Sequence, residues 1–140
     1  MKNSFQPPDP EFRLRVEESF ARQQVMKLLG ASLDVVEPGV VEISLEARDD
    51  LSQQDGFVHA GIVATILDSA CGYAAYTLMP AGSRVLSIEF KLNLLAPADG
   101  NTIRARAEVK RPGRTLTVCT ADAFADDKLC ATMLATMIRR

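Results

Sequence analysis

Apolar residues recur along the chain at two different periods, and the change from one to the other predicts its elements. Phe12, Val16 and Phe20 recur at helical spacing, with Leu28 and Leu29 further on. Asp9-Pro10-Glu11 ahead of them reads as an N-cap, a first helical position and an acidic first turn, and Gly30 reads as a stop. This predicts a loose tail over 1–9 and a helix over 10–29 with a break near its middle. Strands over 31–37 and 40–47 follow, joined at Pro38-Gly39, and then a polar loop from Arg48 to Gly56. Over 59–79 the chain is apolar on nearly every helical face, and Pro80-Ala81-Gly82 ends the run. Beyond it the period becomes two. In Val85–Leu94, Ile88, Phe90, Leu92 and Leu94 alternate with Ser87, Glu89, Lys91 and Asn93. Ile103, Ala105, Ala107 and Val109 alternate with Thr102, Arg104, Arg106, Glu108 and Lys110. Strands over 114–125 and 129–138 complete the set, with turns at Asp99-Gly100, Pro112-Gly113 and Asp126-Asp127.

A helix of about twenty residues is ~30 Å long and a ten-residue strand ~33 Å. A curved antiparallel sheet can therefore wrap the apolar helix along its length, in an α+β domain over 1–140. One sheet on one helix leaves an apolar flank and open strand edges, which favours a homodimer.

Composition narrows the function. The 140 residues are 47% hydrophobic and 24% charged with net charge -2, a soluble globular balance. No basic stripe interleaved with aromatics is present, which argues against nucleic-acid binding. The N-terminal stretch lacks the apolar core of a secretory signal, and Cys71, Cys119 and Cys130 are odd in number and widely spaced. Both observations point to a reducing cytoplasm rather than a disulfide framework. One histidine and no Cys-x-x-Cys leave little for a metal, and no cofactor motif appears. The apolar run carries Asp68, Thr65, Ser69, Gly72 and Tyr73 and has no basic flanks, so a buried helix fits it better than a membrane span.

Asp68 is the one formally charged side chain between His59 and Met79. Burial disfavours an ionised carboxylate, and no basic residue lies nearby in sequence to offset the cost. Such a group is a candidate base or nucleophile. Residues 59–61 open the same helix, where unpaired N–H groups and the positive end of the helix dipole suit a developing oxyanion. The Ala60 N–H, together with the Gly61 N–H, is the candidate oxyanion hole. Asp68 lies eight residues after Ala60, about 12 Å along one helix, so the two cannot reach one carbonyl carbon within a protomer. A site that uses both is shared between two subunits.

Gly56-Phe57-Val58-His59-Ala60-Gly61, Asp68 nine positions after His59, Ser87 on the next strand, Leu95-Ala96-Pro97-Ala98-Asp99-Gly100 and Gly113-Arg114-Thr115 form an ordered set. With this set, over roughly 24–138, the chain resembles the PaaI-like (phenylacetate-degradation-type) acyl-CoA thioesterases of the hotdog fold. The chain departs from the common pattern in two places. His59-Ala60-Gly61 stands where His-Gly-Gly is usual, and Gln53 stands where an asparagine is usual.

The resemblance implies hydrolysis of a medium-chain or aryl acyl-CoA by a homodimer that pairs again into a tetramer. Asp68 is then base or nucleophile, and direct attack and water activation both remain open. Ser87 partners Asp68 or the water, and Gln53 or Gln54 bonds the substrate carbonyl or that water. His59 is a structural or gating residue, and Gly113, Arg114 and Thr115 contact coenzyme A. Two other functions fit the fold: a non-catalytic acyl-CoA-binding module, and a dehydratase or hydratase using His59.

Overall fold

The computed structural model describes residues 4–140. Two short helices, α1 (Phe12–Arg22) and α2 (Gln24–Leu29), precede strands β1 (Ser32–Glu37) and β2 (Val40–Glu46). The long helix α3 (Ala60–Tyr76) follows, then β3 (Val85–Leu94), β4 (Thr102–Arg111), β5 (Leu116–Ala125) and β6 (Lys128–Arg139). The strands form one antiparallel sheet in the order β1-β2-β4-β5-β6-β3, and α3 lies across β2 to β6 on its inner face. This is the wrapped sheet and central helix expected from the pattern.

The period-two residues explain how the helix is seated. Ala105 and Ala107 of β4, Ala121 and Ala123 of β5, and Ala131 and Ala135 of β6 all face inward and are buried. These small side chains leave room for α3, whose Val63, Ile66, Leu67 and Ala70 are buried with them in one core. No helix among the described residues is long and apolar enough to cross a membrane.

Three details differ from the pattern, while the break and the stop of the first helical segment fall where it places them. The first helix begins at Phe12, because the Asp9 carboxylate accepts the Glu11 N–H at 3.0 Å and holds Asp9-Pro10-Glu11 in a turn ahead of it. The expected break falls at Gln23, whose extended backbone (φ -76, ψ 102) separates α1 from α2 without a proline or glycine. Gly30 then stops α2 in the left-handed conformation, φ 66. At the other end, α3 stops at Tyr76 rather than Met79. There the Thr77 hydroxyl donates to the Ala74 carbonyl at 2.7 Å and accepts the Gly39 N–H at 2.8 Å. The Arg15 guanidinium reaches in from α1 and donates to the carbonyls of Tyr76, Met79 and Pro80 at 2.8–3.2 Å. It also lies 4.4 Å from the Tyr76 ring centroid. Arg15 Nε sits 3.0 Å from Asp9 Oδ2, close enough for an ion pair but out of line for a hydrogen bond. Third, part of the expected tail is packed: the Phe5 ring covers the β1–β2 turn, where a Cβ on Gly39 would stand 2.7 Å from it. Residues 1–3 of that tail lie outside the described residues.

The largest departure is in β3. The pattern puts Ser87 on the polar face with Glu89, Lys91 and Asn93. The register shifts between Ser87 and Glu89, so that Ser87 stands opposite Met137 and Glu89 opposite Thr136. Ile88 is the extra residue of a β-bulge. Met137 is buried, and Ser87, itself exposed, stands beside it with its hydroxyl 3.4 Å from the Met137 sulfur. The bulge thus turns the serine from the solvent face to the helix face. β3 is also an edge strand, and Leu86, Ile88, Phe90 and Leu94 on it are 44–56% exposed.

Candidate functional site

Asp68 lies on the least covered face of α3, in line with Gly61, Thr65 and Gly72, while Ile66, Leu67, Ala70 and Cys71 around it are buried. It is half-buried rather than enclosed. Of the two partners that the resemblance allows Ser87, the structure places it on the carboxylate: the Ser87 hydroxyl donates to Asp68 Oδ1 at 2.6 Å. That hydrogen bond depends on the bulge at Ile88. Asp68 Oδ2 has no protein partner among the described residues. The carboxylate is therefore oriented through one oxygen and open through the other, the arrangement a general base or nucleophile needs.

The start of α3 is built by His59. Its backbone is extended (φ -59, ψ 137), its N–H donates to the Leu51 carbonyl at 2.9 Å, and its Nδ1 accepts the Gly61 N–H at 2.8 Å. An accepting Nδ1 places the ring proton on Nε2. The imidazole is thus an N-cap, and the expectation that the Gly61 N–H serves an oxyanion is corrected: that donor is already taken. A Cβ at Gly61 would stand 3.0 Å from His59 Nδ1 and crowd the cap. The Ala60 N–H has no acceptor among the described residues and remains the single free donor of the pair.

Ala60 borders a cavity of about 390 Å³ lined also by Gln53, Phe57, Val63, Leu94 and Leu95. Gln53 is placed by its own side chain. Its Oε1 accepts the Asp55 and Phe57 N–H groups, and its backbone pairs with Phe57, so the loop folds around the amide. Its Nε2 has no partner among the described residues. Gln54 is exposed, donates to Asp55 Oδ2 at 3.4 Å and lies outside the cavity. Of the two glutamines, Gln53 is beside Ala60.

Asp68 and Ser87 border a second cavity, about 270 Å³, which shares no lining residue with the first. Its other walls include Ser19, Gln23, Ser69 and Tyr73. Gln23 and Ser19 escape the apolar pattern entirely, because the pattern shows that α1 packs but not which polar side chains the break at Gln23 turns inward. Gly113, Arg114 and Thr115 form the exposed β4–β5 turn. A side chain on Gly113 would collide with the Leu116 carbonyl. The register Thr117–Met137–Ser87 puts this turn at the Ser87 end of the sheet, beyond Thr117, which stands about 10 Å from Ser87 across two strands. Arg114 has no carboxylate partner among the described residues.

The cysteines supply no alternative nucleophile. Burial pushes all three thiols up, Cys119 to about 12, and Cys71 is raised further by Cys119 and the Asp68 charge. All three are protonated at neutral pH.

A held carboxylate, a separate free N–H at a helix start and two cavities invite comparison with known proteins. The family model described as the thioesterase superfamily matches residues 55–131, the segment carrying Ala60, Asp68 and Ser87. The chain belongs to the thioesterase superfamily. This thioesterase is similar to a thioesterase family protein from Silicibacter pomeroyi, with 52% identity and a TM-score of 0.89 over 91% of this chain and 97% of that one. The hotdog fold is shared more widely. The PaaI protein of the E. coli phenylacetic acid degradation operon is 17% identical with a TM-score of 0.85, covering 93% of this chain and 94% of that one. A thioesterase from Haemophilus influenzae is 19% identical with a TM-score of 0.81, covering 99% and 93%. The thioesterase is a hydrolase of the hotdog class, as the ordered motif set implies.

Proposed function

We propose that the protein hydrolyses acyl-CoA thioesters of medium-chain or aryl acids in a site shared between two subunits. The observation that carries this reading is the pairing of Ser87 with Asp68 at 2.6 Å on one part of α3 while the free Ala60 N–H stands at its start. Two antiparallel copies of α3 would bring the Asp68 of one subunit to the Ala60 of the other. The exposed apolar edge of β3, adjoining the open face of α3, supports that pairing. In the shared site Asp68 Oδ2 takes a proton from a water whose oxygen attacks the thioester carbon, or Asp68 attacks that carbon itself to form an anhydride that water then hydrolyses. The thioester oxygen then receives the Ala60 N–H, with the Gln53 amide beside it, and the C–S bond breaks to release acid and thiol. His59 caps the helix and does not serve as base, which disfavours a dehydratase or hydratase. Gly113, Arg114 and Thr115 meet the coenzyme A phosphates at the rim, and no cofactor takes part. A dimer of dimers fits the remaining exposed outer face, where Leu129 and Leu134 lie.

The test is free-thiol release from short-, medium-, long-chain and aryl acyl-CoAs by wild type and Asp68→Asn. Turnover by wild type that falls about 10³-fold or more in the variant supports the reading. No turnover on any thioester, or equal turnover by both proteins, contradicts it.

A further inference from the structure

The arginines of this chain are not spread evenly over its surface. The net charge is -2, yet five arginines gather at one end of the sheet. Arg84 precedes β3, Arg111 ends β4, Arg114 lies in the β4–β5 turn, and Arg139 and Arg140 close β6. The backbone fixes them together. Arg84 and Arg140 exchange N–H to carbonyl hydrogen bonds at 2.6 and 2.8 Å, and the Arg139 N–H donates to the Thr115 carbonyl at 2.9 Å. None of the five forms an ion pair among the described residues. The opposite end of the sheet carries Asp99, Asp126 and Asp127 in its turns. Cations held together without counter-charges repel one another and attract an anionic partner.

This end is also the rim of the Asp68 cavity. Val85, Leu86, Ser87 and Met137 line that cavity. Arg84 precedes Val85 in the chain, and Arg139 pairs with Val85 across the sheet. The breadth of the patch narrows what it can hold. Three strand spacings, about 14 Å, separate β4 from β3. Arg114 and its turn are given to coenzyme A in the reading above. The other four arginines lie on both sides of that turn, a wider spread than the phosphates of one nucleotide cover. No aromatic side chain stands among them to stack a base, which argues against nucleic acid. With α3 antiparallel to its copy, the two patches of a dimer point in opposite directions. A flat bilayer would meet only one of them, whereas a small folded domain can dock at each.

We propose that the arginine end docks a small acidic protein that carries the acyl group as a thioester on a phosphopantetheine arm. Arg84, Arg111, Arg139 and Arg140 meet its carboxylates, and the arm enters beside Asp68. Water takes the acyl group as the free acid, and the carrier leaves with a free thiol. Coenzyme A has the same arm, so the chemistry at Asp68 and Ala60 is unchanged. This inference rests on the acyl-CoA reading above and widens its substrate class.

The test places one acyl group on three carriers: an acidic acyl carrier protein, coenzyme A, and pantetheine, which has no phosphate. Arg84→Glu with Arg111→Glu reverses two exposed charges at opposite sides of the patch. In this variant kcat/KM on the carrier protein should fall about tenfold or more with kcat within about twofold, because docking and not chemistry is impaired. On acyl-pantetheine kcat/KM should stay within about twofold, and on acyl-CoA it should fall by about threefold or less. Arg84→Gln with Arg111→Gln, the milder change, should give the same order with smaller losses. Added salt should slow the wild type on the carrier protein far more than on acyl-pantetheine. Calorimetric titration of the carrier protein with its bare arm reads docking without turnover, and the reversed variant should bind about tenfold more weakly. Equal losses on carrier protein and coenzyme A would assign the arginines to nucleotide phosphates and overturn the proposal. A carrier protein that binds wild type and variant alike, or binds neither, would overturn it too. So would binding to vesicles of equal phosphatidylcholine and phosphatidylglycerol in place of the carrier. Hydrolysis of the carrier-bound thioester without hydrolysis of any acyl-CoA would overturn the acyl-CoA reading alone.

Discussion

Replacing Ala60 by proline removes one atom group of interest, the N–H, at a position where proline is structurally welcome. Ala60 is the first residue of α3. Its N–H makes no bond among the described residues, so no helical hydrogen bond is lost. The residue before it, His59, already has ψ 137, the extended conformation that a following proline requires. Stability should therefore change by no more than about 0.5 kcal/mol, a shift in Tm of about 2 °C or less for a chain of this size. Catalysis should not be spared. Loss of one oxyanion donor costs about 10²–10³ in kcat, or about 2.7–4 kcal/mol. Ala60→Gly keeps the N–H and should keep kcat within about threefold, which separates the donor from the side chain. Thiol release reads the first effect and a circular-dichroism melt the second. A proline variant with kcat within about threefold of wild type would refute the assignment of the donor. A Tm lowered by more than about 5 °C would refute the account of how the helix starts.

Two further predictions concern the scaffold. Arg15→Ala should cost about 2–4 kcal/mol, because three carbonyls at the end of α3 lose a charged donor and Tyr76 loses its stacked guanidinium; a thermal melt lowered by less than about 2 °C would contradict this. The three cysteines, each 0–1% exposed, should not react with a thiol reagent in the native state near pH 8 and should all react on unfolding. Since burial raises the Cys71 and Cys119 thiols above their ordinary 9.0, the unfolded chain releases these protons first as pH rises. Stability should be at full value below about pH 9 and fall between 9 and 12, and a denaturation midpoint that rises over that range would contradict it.

Much of this architecture is legible in the apolar pattern because the pattern records burial. Ile103, Ala105, Ala107 and Val109 of β4 alternate in sequence and are all buried in the sheet. The apolar run around Asp68 is the helix that the sheet covers. The turn glycines Gly30 and Gly39 have the positive φ their places suggest. What the pattern misses is set by distant parts of the chain. A bulge inserts one residue without altering the alternation in sequence, so the inward turn of Ser87 is invisible until Met137 stands opposite it. The early end of α3 is imposed by Arg15, more than sixty residues away. The Gly61 N–H looks free in sequence because a histidine is an uncommon cap, and nothing local shows that Nδ1 will turn back to it. Gln23 is read as one more polar residue of a helix, whereas the break aims it at Ser69.

The central claim is that each site takes Asp68 from one subunit and the Ala60 N–H from the other. It is tested most directly by mixing two inactive variants, Asp68→Asn and Ala60→Pro, unfolding them together and refolding them as dimers. About half of the dimers would carry one subunit of each kind, and each of those would hold one intact site and one doubly damaged site. The account predicts that the mixture recovers about a quarter of wild-type thiol release. A mixture that stays at the level of its two parents would contradict it.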